Sequence, residues 1–377
     1  MQGKQTHPVQ APPKRDGVPV AVAMSGGVDS STAAALLVQQ GYQVIGLTMR
    51  LWAWPSNEGN VEARSGSSSG IQDARRVCKV LSLPFRVLDL EQEFRSQVVE
   101  YFCDSYALGR TPNPCLACNR YIKFGALLQA ASQLGAAYLA TGHYARIRLV
   151  NGKYQLLKGA DREKDQSYVL YMLAQQQLAH VLFPLGDYTK AQVRALAAEL
   201  GLPTAEKAES QDACFVSGSD YRAFLSQQRP ATARPGPIFD LQGRILGQHQ
   251  GIASYTVGQR QGLGITSPHP LYVMEVDPVR NALIVGPKAA LRRRELLAEQ
   301  VDSVAGHPPA QSLSVTAKIR YKAPEAAATL VPLAASKARV VFEEAQSAIT
   351  PGQGVVFYQG DVLLGGGIIS HSVPEEA

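Results

Sequence analysis

Apolar and polar positions change texture about halfway along the chain. Up to about residue 220, short β-prone apolar runs alternate with stretches of helical spacing. Val18 to Met24 reads as a strand, Ser30 to Gln40 as a helix and Gln43 to Trp52 as a second strand. A Gly/Ser-rich loop, Ser56 to Gly70, comes next. It leads to a helix from Ile71 to Leu81, a strand from Phe85 to Leu90 and a long helix from Glu91 to Ala107. A loop carrying Pro and Cys separates these from a helix at Phe124 to Leu134 and a short buried strand at Ala137 to Ala140. Such alternation predicts an α/β fold, a parallel twisted sheet with helices on both faces. Ligands of such sheets bind at the carboxyl ends of the strands.

Arg146 to Lys158 reads as a hairpin around Asn151-Gly152. Thr189 to Leu200 reads as an amphipathic helix stopped by Gly201, with Pro203 beyond. After Tyr221, Gly and Pro punctuate short β-prone runs: Pro237 to Phe239, Leu271 to Val276, Ala282 to Val285, Ser314 to Tyr321, Ala338 to Phe342, Gly354 to Tyr358 and Val362 to Ile369. This predicts a small β-rich linking domain and then a β-barrel. The expected division is a disordered tail at 1–16, a nucleotide-binding catalytic domain at 17–220, the linking domain at 221–290 and the barrel at 291–377.

Composition narrows the class. With 377 residues, 45% hydrophobic and 18% charged, the chain is long enough for several cores. No apolar run approaches the roughly 18–20 residues that span a bilayer, so no membrane role is expected. Residues 1–16 also lack the apolar run of a secretory signal. The net charge of +6 admits an anionic partner such as nucleic acid without demanding one. Five cysteines, Cys78, Cys103, Cys115, Cys118 and Cys214, are too few and too scattered for a disulfide framework, which points to a reducing cytoplasm. Cys78 and Cys103, inside predicted helices, read as small buried hydrophobes.

The first candidate chemistry follows the first strand: Ser25-Gly26-Gly27-Val28-Asp29-Ser30-Ser31, with a helix starting at once. Paired glycines let the backbone approach a ligand, and the helix aims unpaired N–H groups and its positive dipole end at that spot. A generic Gly-Gly would be a plain strand–helix turn. The position after the first strand and the Asp-Ser pair favour a phosphate site instead. It is neither a Walker A loop nor the dinucleotide G-x-G-x-x-G. Its form, S-G-G-x-D-S, resembles the signature of the PP-loop ATP pyrophosphatases, which split ATP between the α- and β-phosphates.

The second is Arg110-Thr111-Pro112-Asn113-Pro114-Cys115-Leu116-Ala117-Cys118-Asn119-Arg120. Its prolines predict a stiff, exposed turn rather than a helix. Arg110, Arg120 and Lys123 nearby would let a thiol ionise below its free value of about 8.5. The third is Glu209-Ser210-Gln211-Asp212-Ala213-Cys214-Phe215, far along the chain from Cys118.

Together these segments resemble the tRNA-specific 2-thiouridylases, which put sulfur in place of the C2 oxygen of the wobble uridine. The resemblance runs through S-G-G-V-D-S at 25–30, D-A-R-R-V at 73–77, G-R-T-P-N-P-x-x-x-C-N at 109–119 and A-T-G-H-Y-A-R at 140–146. It continues through K-D-Q-S-Y at 164–168, S-Q-D-A-C-F at 210–215, G-Q-R-x-G-L-G at 258–264, K-I-R-Y at 318–321 and P-G-Q at 351–353. It implies that Ala23, Met24, Ser25, Gly26, Gly27, Val28, Asp29, Ser30, Met49 and Gly142 hold ATP, with Mg²⁺. It implies that Asn113, Pro114 and Cys115 face the target base. Cys118 would be the nucleophile and Cys214 the persulfide carrier, with a Cys118–Cys214 disulfide left after turnover. His143, Lys164, Asp165, Gln166, Arg320, Tyr321 and Gln353 would contact tRNA at its anticodon stem-loop. A sulfur-donor protein, a cysteine desulfurase or a sulfur relay protein, is the implied partner.

One position departs from the family. Cys115 stands where an aspartate is common. Cys115, Cys118 and Cys214 would also make a three-thiolate ligand set for an iron–sulfur cluster. A redox C-x-x-C pair and a spectator thiol are the other readings; a structural zinc lacks its second C-x-x-C. Arg292, Arg293 and Arg294 read as a basic run in a linker, and Trp52 and Trp54 as packing or loop anchors.

Overall fold

The apolar run PVAVA forms the middle strand of a parallel sheet and buries residues on both faces. The computed structural model describes residues 17–52, 68–208, 214–216, 220–307, 309–333 and 336–373. The chain opens with β1 (Pro19–Ala23), α1 (Val28–Gln39), β2 (Gln43–Arg50), α2 (Ser68–Val80) and β3 (Phe85–Asp89). One helical run then comprises α3 (Glu91–Phe94), a π segment (Arg95–Glu100) and α4 (Tyr101–Ala107). A second comprises α5 (Pro114–Ala117), a π segment (Cys118–Leu127) and α6 (Leu128–Gln133). The sequence continues with β4 (Tyr138–Ala140), β5 (Ala145–Val150), β6 (Lys153–Lys158), α7 (Gln175–Leu178), β7 (Val181–Leu182) and α8 (Lys190–Glu199).

The first sheet has the order β3-β2-β1-β4-β7, all pairs parallel. Side chains alternate across β1. Val20 and Val22 pack with α1, α2 and α8, whereas Ala21 joins the cluster under the two long helical runs. Helices therefore cover both faces, as expected of an apolar parallel sheet. Strand order reverses beside β1, so the crevice past the carboxyl ends of β1 and β4 is where such a sheet takes ligands. Cys78 and Cys103 are buried in these cores, and burial pushes both thiols up to about 11.

Two expectations change here. The segment with Cys115 and Cys118 is helical, not a turn. Pro114 sits in the first helical turn, where its missing N–H costs nothing, and Asn113 caps the helix by accepting from the Cys115 N–H at 3.0 Å. Residues 68–70 of the expected Gly/Ser loop are already helix; the rest of that loop and Trp54 lie outside the described residues.

The second half holds α9 (Tyr221–Gln228), β8 (Gly236–Phe239), β9 (Ile245–His249), β10 (Tyr272–Asp277) and β11 (Ala282–Gly286). These four strands form one small sheet, ordered β10-β11-β8-β9. Last come β12 (Arg292–Ser303), β13 (Leu313–Lys318), β14 (Ala326–Leu333), β15 (Lys337–Ser347), β16 (Gly354–Gln359) and β17 (Val362–Val373). They follow the order β12-β15-β14-β13-β16-β17, and β12 pairs with β17 to close a six-stranded barrel. Arg292, Arg293 and Arg294 begin β12 and are not a linker. The β5–β6 hairpin forms as expected, with positive φ at Asn151 and Gly152. It joins the barrel sheet rather than the parallel one: Leu157 and Leu156 register with Val362 and Leu363 of β17.

The barrel also grips the approach to the cysteine helix. Thr111 N–H donates to the Pro351 carbonyl at 2.8 Å, and Gln353 Nε2 donates to the Thr111 carbonyl at 2.8 Å. Arg120, on the cysteine helix, pairs with Asp302 of β12. Gly352 has φ +91°, and a Cβ there would lie 2.9–3.0 Å from Thr111 backbone atoms. Gly352→Ala should therefore destabilise the protein by about 1–3 kcal/mol, seen as a lower urea midpoint. An unchanged midpoint would show that this turn yields without cost.

Candidate active site

The glycine loop is built as an anion cradle. Gly26 takes φ +74°, and a Cβ on it would sit 2.3 Å from the Gly70 carbonyl of α2. Gly27 is the N-cap residue of α1 with extended backbone, and its carbonyl accepts the Ser31 N–H at 3.2 Å. The N–H groups ahead of that bond have no intrahelical partner and face the crevice end of the helix. Ser30 Oγ accepts from the Ser25 N–H at 3.1 Å and lies 3.2 Å from Ser25 Oγ, which holds the loop curled. Met24 N–H donates to the Leu47 carbonyl at 2.7 Å, and the Met24 carbonyl accepts from Thr48 Oγ1. Ala23 ends β1, and Met49 is buried near the end of β2.

Asp29 would oppose an anion, but its charge is answered. Lys190 Nζ donates to both Asp29 oxygens, at 2.7 and 2.8 Å, and Tyr144 OH donates to one at 2.8 Å. Lys207 Nζ donates to the Gly26 carbonyl at 2.9 Å and to Asp73 at 2.6 Å. The helix-end donors are thus left facing outward without a competing carboxylate. These features suit a triphosphate: a cradle that a Cβ would fill, with N–H donors at its rim. Sequence reasoning missed Lys190, Tyr144 and Lys207. Lys190 and Lys207 flank an ordinary amphipathic helix, and no spacing marks them.

Two adjacent residues at the end of β4 face two ways. A Cβ on Gly142 would lie 2.8 Å from Ser30 N and 2.9 Å from the Asp29 carbonyl carbon, so this backbone abuts the start of α1. His143 points to the cysteine helix. Its Nε2 is 3.5 Å from Lys123 Nζ, and its Nδ1 is 2.7 Å from Thr141 Oγ1. The ring is buried against Phe124 and Phe183. Burial, with Lys123 adding to it, holds the imidazole well below its ordinary value, so it is neutral. An ammonium has no acceptor, so Nε2 accepts from Lys123 and Nδ1–H donates to Thr141.

The thiols gather from two segments. Cys118 is 8% exposed inside the main core, half-buried Cys214 packs against the same core, and Cys115 reaches solvent. Cys214 feels the charges of both other sulfurs. Burial pushes Cys118 up to about 11 and raises Cys115 and Cys214, while Lys123 acts on all three in the opposite sense. This corrects the expectation of an acidified thiol. Arg120 is spent on Asp302, and desolvation outweighs what Lys123 supplies. Among the described residues, no group of three or more His, Cys, Asp or Glu side chains is placed to hold a metal ion. The three-thiolate cluster thus gains no support from this geometry. Residues 209–213 lie outside the described residues.

The residues matched to tRNA contact fall into two groups. Arg320, exposed just past β13, donates to the Ser347 carbonyl at 3.4 Å, with Tyr321 edge-on to Tyr168 at 6.0 Å and Lys164 half-buried. The others are engaged internally. Asp165 is buried and accepts from Gly159 N–H, Ser167 N–H and Ser167 Oγ. Gln166 Oε1 accepts from the Tyr144 N–H at 3.0 Å. Gln353 is tied to Thr111, and His143 lies in the core. No helix among the described residues is long and apolar enough to cross a membrane.

Comparison with known proteins places this chain in a family. Family models match residues 18–218 ("tRNA methyl transferase HUP domain"), 222–287 ("tRNA methyl transferase PRC-barrel domain") and 293–369 ("Aminomethyltransferase beta-barrel domain"). A protein of Moorella thermoacetica named tRNA-specific 2-thiouridylase MnmA is 54% identical, over 92% of this chain and 98% of its own length. One of the same name from Roseiflexus castenholzii is 51% identical, over 93% and 99%. A solved 4-thiouridine synthetase–RNA complex with bound ATP is 17% identical with a TM-score of 0.35, over 56% of this chain and 50% of that one. At such identity over nearly the whole length of its relatives, the chain belongs to the tRNA-specific 2-thiouridylase family.

Proposed function

We propose that this protein uses ATP to activate the C2 oxygen of the wobble uridine of tRNA and replaces that oxygen with sulfur carried on Cys214. The observation that carries this reading is the end of β4. Gly142 abuts the phosphate cradle while His143, its neighbour, reaches the helix bearing Cys115 and Cys118. These two contacts support a reading in which the nucleotide-activating site and the sulfur site meet at one strand end. The family models speak of methyl transfer, but a pyrophosphate-type cradle beside a pair of thiols suits adenylation and sulfur delivery better.

The α1 N-terminus, Ser25, Gly26, Gly27 and Ser30 would hold the pyrophosphate portion of ATP, which enters with Mg²⁺. The uracil oxygen attacks the α-phosphorus, the α–β bridging bond breaks and pyrophosphate leaves. A poor leaving group has then become AMP. Cys214 takes a terminal sulfur from a donor protein's persulfide, and the donor's thiol is released. That sulfur attacks C2 and AMP departs with the bonding electrons. Cys118, as thiolate, then attacks the Cys214 sulfur. The S–S bond to the transferred atom breaks, its electron pair forms the thiocarbonyl, and a Cys118–Cys214 disulfide remains. Two electrons from a dithiol reductant reset the enzyme, which fits a reducing cytoplasm. Asn113, Pro114 and Cys115 line the base side of this route. Arg320, Tyr321 and Lys164 are the proposed tRNA contacts. His143, Asp165, Gln166 and Gln353 serve by holding the elements that make those contacts.

The decisive experiment is nucleoside analysis of tRNA incubated with protein, ATP, Mg²⁺, a persulfide donor and reductant. It should show 2-thiouridine, and Cys118→Ser and Cys214→Ser should each cut the yield by about a thousandfold or more. Full product from either variant would exclude the two-thiol route. Gly142→Ala, which pushes a methyl into the start of α1, should lower pyrophosphate release from ATP and tRNA by at least about tenfold. Wild-type release there would remove Gly142 from the cradle. Cys118 should react slowly with iodoacetamide at neutral pH, its rate climbing about tenfold per pH unit towards its raised value of about 11. A rate already at its plateau at pH 8 would contradict the burial described above.

A further inference from the structure

The scheme above leaves Lys123 without a task, although it is the cation that acts on all three thiols. Its placement follows from an unusual backbone. Residues Cys118–Leu127 form a π segment. At α-helical pitch, residues five apart point about 140° away from each other. A π turn closes i→i+5 bonds and brings the fifth residue back over the first. Lys123 is the fifth residue after Cys118, so the wider turn brings it nearer the cysteine face than α-helical pitch would. Were this run α-helical throughout, Lys123 would point elsewhere.

Its ammonium has one acceptor at long range, His143 Nε2 at 3.5 Å. His143, neutral in the core, accepts from Lys123 through Nε2 while Thr141 takes the Nδ1–H. A charged imidazole could not accept, so the apolar packing of Phe124 and Phe183 around the ring is what preserves the acceptor. Arg120, the other nearby cation on this helix, is held by Asp302. The groups facing the sulfur site are therefore Cys115, Cys118 and Lys123 from the cysteine helix, Cys214 from the opposite segment, and His143 behind Lys123.

Resting on the thiolation reading, we propose that Lys123, aimed by His143, is the positioning residue that holds the sulfur anions of this site: the terminal sulfur of a Cys214 persulfide and then the Cys118 thiolate. A single fixed positive charge serves both in turn. Neither bond-making step takes a proton from Lys123; its positive charge lowers the cost of each sulfur anion in turn. Without that charge, nothing on the cysteine helix would oppose the desolvation of Cys118, and its thiolate would be rarer still.

The test measures the pH dependence of Cys118 alkylation by iodoacetamide in the full chain, followed by peptide mass spectrometry, for wild type, Lys123→Met and Lys123→Arg. Lys123→Met should lower the rate at pH 8 by about tenfold and leave the alkaline plateau unchanged, because it moves the thiolate population and not access. Lys123→Arg should recover most of the wild-type rate. His143→Phe, which keeps the packing and removes the acceptor, should show part of the loss. Should Lys123→Met unfold, Lys123→Gln removes the charge alone and gives the same comparison. A Lys123→Met or Lys123→Gln profile that overlies wild type would overturn the proposal, as would a lowered plateau, which reports damaged access. None of these readings requires tRNA or product, so they stand or fall apart from 2-thiouridine formation.

Discussion

The structure depends on how closely the end of β4 is pressed against the start of α1. Gly142 leaves no space there for even a methyl group, because Asp29 and Ser30 fill it. That contact sets the depth of the phosphate cradle. Since side chains alternate along an extended chain, it also sends the next residue, His143, the other way. One strand end thereby fixes two distances at once, from sheet to nucleotide loop and from sheet to cysteine helix. The barrel sets the third through Thr111, which is bonded to Pro351 and Gln353 just before Asn113 caps the cysteine helix.

Electrostatics in the crevice follow from what is paired and what is left over. Asp29 is neutralised by Lys190 and Tyr144, and Asp73 by Lys207, so the cradle keeps the bias of a helix N-terminus towards anions. On the sulfur side the opposite holds: the thiols are drier than they are charged, and burial dominates them. Such a site keeps its resting thiols protonated at neutral pH. Burial protects the resting cysteines, and Lys123 is the group that opposes it.

Much of this was readable from residues alone, for identifiable reasons. The glycine loop, β1 to β3 and the helix at 190–199 carry periodicity and punctuation that tertiary contacts only reinforce. Pro114 misled because proline breaks a helix inside but starts one at its first turn; Asn113 before it was the available clue. β14, with sequence AAATLVPL, was hidden by its alanines, which prefer strands poorly, and β12 by a charged run whose alternate Leu296 and Ala298 turn out to be buried. The tRNA-matched residues were marked by resemblance, yet Asp165, Gln353 and His143 are held by long-range partners such as Gly159, Thr111 and Lys123. The π register that turns Lys123 towards Cys118 has no sequence signature of its own.

The shared hairpin also imposes an order on synthesis. β5 and β6 leave the ribosome with the nucleotide-binding half, but the strand that covers β6 is β17, at the far end of the chain. Until Val362 and Leu363 are made, the edge at Leu156 and Leu157 stays open, and the apolar cluster that Leu156 shares with Val356, Tyr358 and Leu363 is incomplete. Such an edge invites pairing with other chains for as long as translation of the second half lasts. Sequence-distant closure of this kind makes the last strand a checkpoint: a truncated chain keeps its glycine loop but lacks the lock on its first domain.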